Sequence, residues 1–249
     1  TAATNTSKAQ CTGAAMLFNS GSPRAITTTS STSSISNTFT IDFWVKPGKT
    51  ISSGMSQNNG LYDYTGITGQ NFAVFPFHGG AYPTHAGAGV SVGTNGIAVF
   101  EHDDNYIPPL LVHYTSISST NWTHITIVYI NKKPHLYING TFIKSGLTSN
   151  ITNVHPSAIV ASNSYGPFSG SIDEFKIWSD SMSSGTVATW YNQLSMSSHP
   201  KLSKLFLHWN LNEGTGTNVA DASGNGNNGT VNGSPSWISP GVGLTDNIK

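Results

Sequence analysis

Apolar side chains recur at every second position in segment after segment of this chain, and that period decides its class. Phe39, Ile41, Phe43 and Val45 alternate with Thr40, Asp42, Trp44 and Lys46, and Leu205, Leu207, Trp209 and Leu211 alternate with Phe206, His208 and Asn210. A period of two puts each set on one face of an extended chain, so these segments read as half-buried strands. Further strands are expected at 71–75, 90–92, 97–100, 110–114, 123–130, 159–161 and 171–178. The clearest hairpin joins 135–138 to 141–143 through Asn139-Gly140, a pair suited to the positive φ angles of a type I′ turn. One stretch alone has helical period: Val187, Trp190, Tyr191 and Leu194 behind a Ser183 or Ser184 N-cap predict a short helix near 184–194 on a sheet edge. Many short strands and one small helix predict an all-β fold, an antiparallel two-sheet jelly-roll sandwich.

Composition narrows the function. Lys and Arg total 11 against 11 Asp and Glu, and Arg24 is the one arginine. Phosphate backbones are held by basic side chains that displace counterions, so nucleic acid is not an expected partner. The lone Cys11 excludes an intramolecular disulfide and a thiolate zinc site. Solubility must come from uncharged polarity, supplied by 62 Ser and Thr and 23 Asn in 249 residues, which suits an extracellular setting. No apolar run approaches the roughly 18–20 residues that span a bilayer, and the first ten residues lack the pattern of a signal peptide, so a mature fragment without membrane insertion is expected. With 10 % aromatic residues the chain can bury a substantial core.

Three segments carry a family likeness: Phe39 to Pro47 (FTIDFWVKP), Trp122 to Tyr129 followed by Leu136 to Gly140, and Phe168 to Trp178 followed by the short helix. In order and spacing they resemble the laminin G-like modules of the concanavalin A-like lectin/glucanase superfamily, over roughly residues 12–195. The resemblance implies a jelly roll of two curved sheets whose concave side or rim binds glycans or other extracellular ligands. Leu205 to Gly214 and Asp221 to Thr230 resemble the opening of such a module, placed here at the end. About 50 residues bury too little surface to stand alone, so residues 201–249 are expected to supply closing strands to a single domain of 1–249; the alternative is the start of a second module.

Candidate sites follow from the acidic residues. Strand alternation in 171–178 places Asp173 inward with Phe175 and Ile177, and Glu174 and Lys176 on a wetter face. A buried carboxylate needs hydrogen bonds or a cation. Asp173 is therefore either satisfied by backbone N–H groups or a Ca2+ ligand aided by oxygens near Asn19, and some modules of the resembled family hold Ca2+ at the sandwich edge. Asp221-x-Ser223-x-Asn225-Gly226 opens like an EF-hand loop, but Asn232 stands where such loops need Glu, which favours an Asx turn.

The most sugar-like mixture of polar and aromatic groups is a rim built from Asn95, Glu101, His102, Asp103, Asn105 and Tyr106, over which loops bearing Tyr62 and Tyr82 could close. A solvated strand end is the plain alternative. Glu101 and Asp103 would share a side and could form a glycosidase pair, but the alternating Glu, Asp and Glu of glucanases is absent. His78, His85 and His102 lack close ligand spacing. The expectation is an extracellular carbohydrate-binding or adhesion module recognising a glycan or glycoconjugate, without catalysis. The alternatives are a polysaccharide-cleaving enzyme and a ligand-free structural repeat.

Overall fold

The alternating stretch at 39–46 becomes β3 (Phe39–Pro47), and the larger layer is built around it. Phe39, Ile41, Phe43 and Val45 lie in the main core. On one side β3 pairs antiparallel with β8 (Thr123–Ile130), followed by β9 (Lys133–Ile138) and β10 (Thr141–Ser145). On the other it pairs with β12 (Gly170–Trp178), whose far edge carries both β1 (Ala15–Phe18) and β13 (Leu205–Trp209). Beyond β1 lies β16 (Ser236–Ile238). The structure, a computed structural model, describes residues 13–19, 25–58, 69–77, 83–102, 108–161, 165–193, 195–234 and 236–242.

The facing layer centres on β5 (His85–Gly93) and β6 (Gly96–His102). Next to β6 runs β7 (Leu111–Tyr114), while β4 (Phe72–Val74) and β11 (Asn153–Pro156) share the other edge of β5, β11 running parallel to it. Bridges from Ile26 to Val160 and from Val74 to Ala161 link these strands to β2 (Ala25–Thr27), β15 (Gly229–Asn232) and β14 (Asn218–Val219). Ala86, Ala88, Val90 and Val92 of β5 meet the β3 row across the core. The C-terminal strands thus enter both layers, β13 and β16 the larger one and β14 and β15 beside β2. The molecule is a nearly all-β antiparallel sandwich.

Two sequence signals act as expected. Asn139 and Gly140 take φ of 47° and 76° between β9 and β10. Ser183 caps α1 (Ser184–Trp190), its hydroxyl accepting from the Thr186 N–H. The helix is shorter than the expected 184–194, because Tyr191 already closes it as C-cap.

The expected alternation in 171–178 breaks at Glu174. Asp173 pairs with Trp44 but Lys176 with Asp42, so Glu174 and Phe175 together oppose Phe43, and Glu174 takes a left-handed φ of 52°. This is a β-bulge, and the extra residue resets the faces. Asp173 therefore shares the outer face with Trp44 instead of pointing inward with Phe175. Glu174 and Lys176 are not on a wet face either: both are buried. A bulge leaves no period in sequence, which is why simple alternation misplaces all three.

Candidate functional site

The chain leaving β2 and the chain leaving β11 form a groove of about 210 Å3. Its first wall is the run Thr28 to Ser33, held open by its own hydroxyls: Thr28 Oγ1 accepts from Ser30 N–H at 3.2 Å and Ser31 Oγ from Ser33 N–H at 3.2 Å. Such side-chain turns compete with strand pairing, so a Ser/Thr tract folds as loop. Its second wall is His155, Ser157, Ala158 and Ile159. Phe77 lies at the groove with 56 % of its surface exposed, among the most exposed large apolar side chains described.

His155 ties the walls together. Its Nδ1 lies 2.7 Å from the carbonyl oxygen of Ile35, which can only accept, so Nδ1 carries the proton. Its Nε2 then accepts from His85 Nδ1 at 2.8 Å, with the two rings stacked. Burial, opposed by the Ile35 carbonyl and helped by His85, holds the His155 pKa below the usual imidazole value, so the ring is neutral near pH 7.

The expected rim is not assembled among the described residues. Asn95 sits in the β5–β6 turn with its amide bonded to both Ile51 N–H and Ile51 C=O. Glu101 and His102 stand at the other end of β6, about six residues or ~20 Å away. Glu101 continues the inward row of Ile97 and Val99 and is 1 % exposed, its carboxylate accepting from the Tyr129 and Ser149 hydroxyls. That burial keeps it from presenting a binding surface or a catalytic carboxylate to solvent. His102 is half-buried, its ring tilted near Phe75. Asp103, Asn105, Tyr106, Tyr62 and Tyr82, with His78, lie outside the described residues.

Asp173 is satisfied by backbone: Oδ1 accepts from Glu174 N–H at 2.9 Å and Oδ2 from Val242 N–H at 2.7 Å. Burial pushes its carboxyl well above the usual carboxylate range despite those bonds. Asn19 is exposed just past β1. Ca2+ requires six to eight oxygen donors, whereas both Asp173 oxygens are already engaged by backbone N–H groups. Among the described residues no group of three His, Cys, Asp or Glu is placed to hold a metal. Asp173→Ala should cost about 1–2 kcal/mol, while EDTA should leave the wild-type melting temperature unchanged; a drop with EDTA would establish an ion.

A second polar cluster lies under α1 on the outer face of the larger sheet. Lys176 Nζ is 3.1 Å from Glu174 and 3.8 Å from Asp42, His124 Nε2 donates to Asp42 at 3.2 Å, Trp178 Nε1 to Asp42 at 2.7 Å, and His208 Nε2 to Glu174 at 2.6 Å. The cavity beside it, about 20 Å3, has room for little more than a water molecule. The cluster joins strands and offers no ligand space.

The profile of the laminin G-like family, described as the concanavalin A-like lectin/glucanases superfamily, matches residues 20–188. The chain belongs to this superfamily. Solved structures agree on the superfamily fold. A candidate carbohydrate-binding protein from Bacteroides ovatus superposes with a TM-score of 0.58 at 14 % identity, covering 92 % of this chain and 60 % of that one. The native heptameric SAP-like pentraxin of Limulus polyphemus superposes with a TM-score of 0.52 at 10 % identity, covering 89 % and 95 %. The chain thus spans about 60 % of the Bacteroides protein's length. No curated protein sequence is significantly similar to it. Among the described residues no helix is long and apolar enough to cross a membrane.

Proposed function

We propose that this protein is an extracellular carbohydrate-binding module and that the groove between Thr28–Ser33 and His155–Ile159 receives the glycan. The observation that carries the reading is the pairing of a largely exposed Phe77 ring with hydroxyl-bearing walls in one concavity. A sugar offers C–H faces that pack on an aromatic ring and hydroxyls that exchange water for protein hydroxyls. Membership of a superfamily that contains lectins, and the fold shared with a candidate carbohydrate binder, support it. An adhesive role would follow from the same site, since shallow sites of modest affinity gain by repetition.

Phe77→Ala is the direct test. It should weaken binding to glycans identified on an array by about tenfold or more, or ~1.4 kcal/mol, with little change in melting temperature because the ring is mostly exposed. Unchanged affinity would remove the groove from consideration. Release of reducing ends from a polysaccharide would instead favour an enzyme, a reading that the burial of Glu101 weighs against.

A further inference from the structure

Resting on the carbohydrate reading, we infer that the groove selects uncharged glycans and binds them without a divalent cation. The described lining contains hydroxyls, backbone, one phenyl ring, small apolar groups and His155, and neither a carboxylate nor a lysine or arginine. That inventory sets what a ligand gains and loses on entry. A neutral sugar gives up hydrogen bonds to water and regains them from Ser and Thr groups, which both donate and accept. A uronate, sulfate or sialate must also shed the hydration of its charge, and only a paired cation or several aligned donors repay that loss.

Among the described lining residues His155 is the one group that could become a cation, and its burial disfavours this near neutrality. One ring nitrogen donates to the Ile35 carbonyl and the other is bonded to His85, so a second proton could be held there only if His85 moved its own proton to Nε2 and accepted through Nδ1. Among the described residues, the titratable groups facing this ring are His85 on β5 and, across the strand from Gly87, His102 on β6. Neither brings a carboxylate to stabilise an imidazolium. Among the described lining residues there is likewise no carboxylate to hold a calcium ion against the sugar.

The experiment is an array of matched glycans, each neutral structure beside its uronate or sulfated counterpart, probed in EDTA and in Ca2+. Neutral glycans should be retained in EDTA and preferred over their acidic counterparts by about tenfold or more, and Phe77→Ala should weaken that retention by a similar factor. Ser33→Lys, at an exposed wall position, should restore binding of the acidic counterparts. Retention of acidic glycans alone, or dependence on Ca2+, overturns this inference while leaving the carbohydrate reading intact. Absence of any retained glycan overturns both.

Discussion

Lys176→Met should destabilise the protein by about 3–5 kcal/mol, because it leaves two buried carboxylates without their shared cation. Asp42 and Glu174 are both buried, and Lys176 lies between them on the outer face of β12. Methionine preserves most of the side-chain volume, so the loss reads as charge and not as a cavity. Chemical denaturation at neutral pH measures it, and an unchanged midpoint would show that the histidines and Trp178 suffice without the lysine. Replacing all three charged groups by apolar residues should cost less than the single change, since desolvation is then never incurred.

The pH dependence of that variant follows from the directions of the shifts. In the native protein burial pushes both carboxyls up, but the Lys176 charge, with hydrogen bonds from His124 and Trp178 to Asp42 and from His208 to Glu174, outweighs it and holds both below their usual range. Groups held low contribute stability that is present above the ordinary carboxylate range and is lost as pH falls through their lowered values. Lys176 is held high, burial being overcome by Glu174 and Asp42, so its share disappears only as pH rises past the ordinary lysine range. Without Lys176, burial dominates at the two carboxyls and raises them, reversing their slope. His124, kept neutral chiefly by burial, also loses a repelling neighbour and takes up a proton more readily. The gap between wild type and Lys176→Met should therefore shrink as pH drops toward about 4. Asp173, held high chiefly by burial, contributes most when protonated and less as pH rises, a slope opposite to that of Asp42 and Glu174 in the native protein.

What the sequence could and could not disclose follows from the length and regularity of each signal. β3 and β8 were legible because eight or nine residues of alternation leave no other face for Phe39, Ile41, Ile125 or Ile127. The β9–β10 hairpin was legible because few residues besides Asn and Gly tolerate its two positive φ angles. By contrast β2, β14 and β16 span two or three residues each, too few to display a period, and β2 and β16 are fixed by partners far along the chain. Glu101 carried a usable signal: it extends the Ile97 and Val99 row, so its inward direction could have been read from the strand instead of from its acidic neighbours. The groove was less accessible. The Ser/Thr tract at 28–33 announced a loop, but only the return of the chain after β11 brings His155 and Ser157 opposite to it, and spacing along the sequence does not encode that meeting.

Asp221→Ala should cost about 3 kcal/mol, because one carboxylate organises a whole loop. Oδ1 accepts from the His208 and Ser223 N–H groups, both at 2.9 Å, and Oδ2 from the Ser223 hydroxyl at 2.7 Å and Asn227 N–H at 2.9 Å. Burial pushes this carboxyl up, but those donors prevail and hold it below the usual range, so its contribution also fades on acidification. With every lone-pair direction engaged, the EF-hand-like spacing here serves an Asx turn, and Asn232, at the twelfth position, donates to Thr27 Oγ1 at 2.8 Å instead of turning toward the loop. The loop so held presents the Asn227 carbonyl to Trp209 Nε1 at 2.9 Å and brings Gly229 so near the Trp209 ring that an added Cβ would lie 3.0 Å from it. From Gly229 the chain enters β15, which pairs with β2, and β2 leads directly into the Thr28 wall of the groove. Loss of Asp221 should therefore weaken glycan retention together with stability, whereas Phe77→Ala should weaken retention alone. If Asp221→Ala lowered the melting temperature yet left retention intact, the groove wall would be held by something other than this connection.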